Sequence, residues 1–258
     1  MDLHNKNILI TGASQGLGLG LAMALADKGA NLILVARGEA KLNRVAEKLR
    51  LGRPSHQFIY GISADISKKE AIYRLVIRAT ALLKAPLDIL INNASTLGTT
   101  PLRLLLDTGC EDLEQVLQTN LIGPHRLTKA IVGNMVLRKE GLIVNISSDA
   151  AIEAYPTWGS YSASKAANDH LTRIWAAELE PTRVRFLSVD PGEMNTQMHA
   201  DAVPDADPQS LADPGQVALK LVHLIANAET EKNGSRVILS KWEVPNVASN
   251  RNAPARSA

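Results

Sequence analysis

Tyr161 and Lys165 stand four residues apart in the run Tyr161-Ser162-Ala163-Ser164-Lys165. On a helix that spacing puts both side chains on one face. A tyrosine ordinarily loses its proton near pH ~10, and a neighbouring ammonium can lower that value by ~1–3 units. Such a pair can hand a proton to a developing alkoxide, or take one from an alcohol, near neutral pH. Ser148 follows an apolar run, Leu142–Ser147, and its hydroxyl can hydrogen-bond a carbonyl oxygen as charge builds there. Alone, a tyrosine and a lysine at this spacing are more often an ordinary half-exposed helix face.

A second constellation lies near the start of the chain. The run Thr11-Gly12-Ala13-Ser14-Gln15-Gly16-Leu17-Gly18 follows an apolar strand and opens a helix. Glycines let the backbone turn tightly and approach a pyrophosphate, and the helix N-terminus offers free N–H groups to it. The spacing G-x-x-x-G-x-G is neither G-x-G-x-x-G nor a P-loop. Three glycines could also make a tight turn that binds nothing, but this is the first βα turn of an alternating chain. About 20 residues further on lies the position that chooses between nicotinamide cofactors. Here the chain reads Ala36-Arg37, with no carboxylate to accept the ribose hydroxyls. A guanidinium binds phosphate bidentately and keeps its charge. The expected cofactor is NADP, with NAD as the weaker alternative, because only neutral Gln15 and Ser14 join Arg37 from the loop.

Six segments occur in one order: Thr11–Gly18, Asn92-Asn93-Ala94, Asn120, Ser147-Ser148, Tyr161–Lys165 and Asp190-Pro191-Gly192. With them the sequence resembles the short-chain dehydrogenase/reductase family over roughly residues 5–240. The resemblance implies a Rossmann-like sheet of seven strands and a catalytic tetrad of Asn120, Ser148, Tyr161 and Lys165. Ser148, not Ser147, has the family's usual distance from Tyr161. Tyr161 would be the acid/base, and Ser148 would polarise the substrate oxygen. Lys165 would lower the tyrosine pKa and bind the nicotinamide ribose, while Asn120 would hold a water linking Lys165 to solvent. The cofactor would lie on Gly12, Ser14, Gln15, Gly16, Leu17 and Gly18. Asp65 and Ile66 would meet the adenine, Asn93 and Ala94 would run along the cofactor, and Pro191, Gly192 and Thr196 would hold the nicotinamide end. Ala36 stands where NAD-using members usually carry aspartate. The chain departs from the family at Ser95, where glycine is usual, and lacks the common aspartate-glycine-glycine ending.

The elements that must position these residues are legible. Strands are expected at Asn7–Thr11, Asn31–Ala36, Gln57–Ile62, Leu87–Asn92, Leu142–Ser147, Val184–Val189 and Arg236–Ser240. Helices are expected at Leu17–Lys28, Glu39–Arg50, Lys68–Lys84, Cys110–Lys139 with a break near Gly123-Pro124, Ser160–Glu180 and Asp213–Asn227. The strands are apolar throughout, as in a parallel sheet covered on both faces. Alternation of strands and helices implies a doubly wound α/β sheet that binds ligands at the carboxyl ends of its strands. The stretch Glu193–Asp213, with Met194, Met198 and His199, should cover the substrate. A single catalytic domain is expected over residues 1–243, with 244–258 as a flexible tail.

The chain has 258 residues and a net charge of +2, which gives no argument for nucleic acid or an anionic membrane as a partner. One cysteine excludes an internal disulfide, the six histidines show no metal-ligand spacing, and no apolar run reaches the ~18 residues of a spanning helix. The expectation is a cytoplasmic enzyme without a metal, acting on a small carbonyl or alcohol substrate. The resemblance adds a homodimer or homotetramer, paired through Asp112–Lys139 and Ser160–Glu180. Two rival readings are a cofactor-binding regulatory or scaffold protein without catalysis, and an epimerase or dehydratase of related fold.

Overall fold

A computed structural model describes residues 1–243 of the chain; the expected tail at 244–258 lies outside the described residues. Seven strands form one parallel sheet: β1 (Asn7–Thr11), β2 (Asn31–Ala36), β3 (Ile59–Ser63), β4 (Ile89–Asn92), β5 (Gly141–Ile146), β6 (Val184–Asp190) and β7 (Arg236–Ile238). Their order across the sheet is β3-β2-β1-β4-β5-β6-β7. The chain winds outward from β1 to β3, then returns to β4 on the other side of β1. The switch point, where a crevice opens beyond the strand ends, thus falls between β1 and β4.

Successive side chains of a strand point to opposite faces of the sheet. Ile8 and Ile10 of β1 join one core with Leu32 and Leu34, while Leu9 joins the other with Ile33 and Leu90. Both faces must therefore be covered, and helices cover them. α1 (Gly16–Asp27), α2 (Glu39–Arg50) and, later in the chain, α8 (Pro214–Ala226) contribute Leu21, Leu42 and Leu221 to the first core. α3 (Lys69–Leu83), α5 (Gly123–Arg138) and α6 (Gly159–Glu178) serve the second. The fully buried Phe186 of β6 stacks on Trp175 of α6 with ring centroids 5.9 Å apart.

The expected long helix is two: α4 (Cys110–Leu117) and α5, joined by a π turn at Gln118–Ile122. The break sits one turn earlier than expected. Pro124 has no N–H to give the carbonyl of Asn120, the residue four before it, so the helix widens ahead of the proline. The stretch after β6 is also more ordered than a plain loop. α7 (Gln197–Ala202) begins at Thr196, whose hydroxyl accepts the N–H of His199, and a short 3-10 turn at Pro208–Ser210 is capped by Asp207.

The two helical stretches expected to pair copies of the chain also serve the core. Leu127 and Ile131 are buried within the monomer, whereas Leu171 is half-buried and Ile174 exposed. α5 turns its Leu127 and Ile131 side onto the sheet, and an apolar pattern alone does not say which partner it meets.

Candidate active site

The expected site residues come from six strand ends and α6, and one cleft of about 1020 Å³ gathers all of them except Asn120. The glycine loop leaves β1, and Arg37 follows β2. Asp65 and Ile66 follow β3, Asn93 and Ala94 follow β4, and Ser148 follows β5. Pro191, Gly192 and Thr196 follow β6, and α6 supplies Tyr161 and Lys165. Asn120 is buried behind the cleft, in the π turn.

The loop at β1 is built for close approach. Gly12 has a φ of +69°, a conformation that favours glycine. A Cβ on Gly18 would stand 2.2 Å from the Gly12 carbonyl oxygen and 2.6 Å from Asn93 Nδ2, so no side chain fits there. Asn93 ties the two sides of the switch point together. Its Nδ2 donates to the Thr11 carbonyl at 2.8 Å, and its N–H and that of Ala94 both donate to Thr11 Oγ1 at 3.0 Å. Arg37 is exposed at the rim, and Lys41 from the first turn of α2 joins it in the cleft lining. Lys41 Nζ donates to Gln15 Oε1 at 2.6 Å, so the neutral loop position is bridged to a second cation. A cleft with a side-chain-free turn after β1 and two cations beyond β2 has the parts to hold a dinucleotide.

At the other end the catalytic candidates meet. Tyr161 is buried, and its ring packs edge-on against Trp158 at 5.7 Å. Burial pushes its pKa up to about 12; the hydroxyls of Ser148 and Ser95 act against this, and the carboxylates of Asp149 and Asp190 with it. Burial likewise brings Lys165 down to about 8, opposed by the charge of Asp169. Lys165 Nζ donates to the Ile146 carbonyl at 2.7 Å and lies 5.4 Å from the centre of the tyrosine ring. Enclosure, not the ammonium, dominates the phenol.

The side chain of Asn120 is fully engaged. Its amide is taken up by Thr96, accepting from the N–H and donating to the carbonyl at 2.8 Å each, and it donates to Ser164 Oγ at 3.0 Å. Any water held here would meet its main chain, where Pro124 has removed the usual donor to the carbonyl.

Three further groups carry weight that the sequence did not reveal. Asp149 follows Ser148 and accepts its hydroxyl at 2.9 Å. Its carboxyl is held below the ordinary range: burial opposes ionisation, but the Ser148 and Tyr155 hydroxyls and the Ala150 N–H outweigh it. Arg236 of β7 reaches under the site and pairs with Asp190 at 2.9 Å and Asp169 at 3.2 Å. Tyr155 and Trp158 form an aromatic wall, their ring centroids 6.4 Å apart. Lys41, by contrast, left a trace in the sequence, as a basic residue four positions after Arg37. Among the described residues, no group of three or more His, Cys, Asp or Glu could hold a metal ion, and no helix is long and apolar enough to cross a membrane.

A parallel sheet wound both ways from β1, with a glycine turn and a Tyr-x-x-x-Lys helix facing one cleft, defines a nucleotide-fold oxidoreductase. The chain belongs to the short chain dehydrogenase family, whose model matches residues 6–207. It is 30% identical over 234 residues to the uncharacterized oxidoreductase YciK of Escherichia coli (strain K12), covering 90% of each chain. It is 34% identical over 208 residues to the L-xylulose reductase of Caenorhabditis elegans, covering 80% of this chain and 78% of that one. A solved short chain dehydrogenase from Shigella flexneri 2a, complexed with NADP, matches its fold with a TM-score of 0.83 at 30% identity. That match covers 93% of this chain and 99% of the other.

Proposed function

We propose that this oxidoreductase uses NADP(H) and interconverts a small ketone or aldehyde with its alcohol, Tyr161 moving the proton. One observation carries the reading: Tyr161, Ser148 and Lys165 face the same cleft whose other end holds Arg37 and Lys41. The NADP complex of the Shigella relative supports the choice of cofactor. NAD is the weaker alternative.

Residues Gly12 to Gly18, with Ser14 and Gln15, hold the pyrophosphate, and Arg37 holds the 2′-phosphate. Asp65 and Ile66 flank the adenine, Asn93 and Ala94 run along the cofactor, and Pro191, Gly192 and Thr196 hold the nicotinamide end. When bound, the nicotinamide supplies or accepts the hydride. Ser148 orients the substrate oxygen. Tyr161, a neutral phenol at physiological pH, donates a proton to that oxygen as it gains charge. Lys165 is an ammonium below about pH 8 and anchors the ribose. The main chain of Asn120 holds the water that resupplies protons.

The working unit is a homodimer or homotetramer paired across α6 and the α4–α5 stretch, where Ile174 and Leu137 are exposed. The deciding experiment is NADPH consumption against a panel of carbonyl compounds, followed by Tyr161→Phe. That variant should lose ~10²-fold or more in kcat while binding NADPH normally. Undiminished turnover in the phenylalanine variant would overturn the assignment.

A further inference from the structure

The arginine and lysine of the cleft outside α6 stand at one end of it. Arg37 and Lys41 lie at the end of β2 and the start of α2, whereas Asp149 and Glu193 lie beyond β5 and β6. β2 and β5 are three strands apart, roughly 14 Å at the usual strand spacing. The cations near the reacting end are already committed. Lys165 donates to the Ile146 carbonyl beneath Tyr161, Arg236 is shared between Asp169 and Asp190, and the imidazole of His199 lies 3.7 Å from Glu193. A carboxylate on the substrate, next to the reacting carbon, would therefore face Asp149 and Glu193 with no free cation to receive it.

Asp149 does more than repel. Its Oδ1 accepts Ser148 Oγ at 2.9 Å and the Ala150 N–H at 2.8 Å, and its Oδ2 accepts the Tyr155 hydroxyl at 2.9 Å. A carboxylate has about four acceptor sites, so Oδ2 keeps one. The Ser148 hydroxyl stands between this carboxylate and the Tyr161 phenol. A substrate oxygen that takes the single Ser148 proton from Asp149 Oδ1 lies next to that carboxylate, whose freed acceptor then wants a donor from the neighbouring carbon. The remaining walls, Trp158, Leu97 and Met198, are apolar and suit an alkyl or aryl group on the other side of the carbonyl.

We infer that the substrate carries a hydrogen-bond donor, a hydroxyl or an ammonium, on the carbon next to the reacting carbonyl, and that Asp149 selects it. This rests on the oxidoreductase reading above and names the substrate class of that site: α-hydroxy or α-amino ketones, not α-keto acids or plain ketones.

The test is a size-matched series of aryl ketones: 2-hydroxyacetophenone, 2-aminoacetophenone, propiophenone and phenylglyoxylate, reduced with NADPH. In the wild type, kcat/KM for a donor-bearing ketone should exceed that for propiophenone by about 10-fold or more, the worth of a charge-assisted hydrogen bond. Phenylglyoxylate should be the poorest. Comparison of the hydroxy and amino arms tells which donor is taken. Asp149→Asn should bring the donor-bearing to propiophenone ratio close to one and relieve the discrimination against phenylglyoxylate. The ratio is the readout because a disturbed Ser148 would slow all four alike. The wild-type ratios stand as a test even if the variant does not fold. Equal rates for the donor-bearing ketones and propiophenone, faster phenylglyoxylate, or an unchanged ratio in Asp149→Asn would overturn the inference while leaving the oxidoreductase reading intact. No turnover of any of the four would overturn both.

Discussion

Arg236 Nη2 donates to the main-chain oxygen of Ser148 at 2.8 Å, and the same nitrogen pairs with Asp190 at 2.9 Å. One guanidinium thus anchors the end of β5, the end of β6 and, through Asp169, the helix that carries Tyr161 and Lys165. Ser147 completes the cluster by donating to Asp169 Oδ2 at 2.8 Å.

Removing that guanidinium would leave Asp190 buried with no counter-ion and Asp169 with the Lys165 ammonium alone. Breaking such a pair costs on the order of 3–5 kcal/mol. Arg236→Met should melt well below the wild type and lose kcat, with Arg236→Lys recovering part of both. Differential scanning calorimetry and steady-state kinetics of the two variants check this. A methionine variant as stable as the wild type would show that the cluster holds nothing together.

Lys165 gives a prediction of opposite sign. Its folded pKa, about 8, lies below the ordinary 10.5. Burying the ammonium therefore destabilises the fold. The penalty is fully present below about pH 8 and fades as pH rises toward 10.5, because the unfolded chain still binds the proton in that window. Lys165→Met should be nearly inactive yet more thermostable than the wild type at pH 7, the gap shrinking by pH 10. Melting curves at the two pH values decide it, and a less stable variant at pH 7 would refute the penalty.

Cofactor preference should follow both cations. Arg37→Ala should weaken NADPH binding roughly 10-fold or more and NADH binding little. Lys41→Ala should act in the same direction but less, because its exposed ammonium is screened. Fluorescence titration at low and at high salt checks both. The Lys41 effect should shrink with added salt. Equal losses for NADPH and NADH would count against a 2′-phosphate contact.

Gly18→Ala should damage the fold and the cradle together. A single methyl would overlap the Gly12 carbonyl and the Asn93 amide that braces it. Overpacking of this kind costs about 1–3 kcal/mol. We expect a lower melting temperature and a cofactor Kd raised about 10-fold or more by titration. A neutral alanine would mean the loop relaxes freely.

Much of this was readable before the structure. β1, β2 and α2 fall on their expected boundaries because apolar runs are there bounded by Gly29, Gly38 and a helical period. Tyr161 and Lys165 share a helix face as their spacing requires. The charge states were not readable, since they depend on how far α6 sinks against β5 and β6. The Arg236 cluster was hidden because its partners are 46, 67 and 88 residues away in the chain (236 − 190, 236 − 169, 236 − 148). β3 starts later than expected because Gln57 turns its side chain back onto the Ala26 and Ala30 carbonyls.

Arg236 also orders events in time. β7 is the last of the described strands, so a nascent polypeptide finishes its glycine loop, its Asn93 brace and both rim cations long before the guanidinium is translated. Until β7 docks, Asp190 lacks its counter-ion and the Ser148 carbonyl lacks its donor. The edge strand thus acts as a latch, and a ribosome that stalls short of it leaves a chain with its cradle encoded and its proton-transfer machinery unsecured.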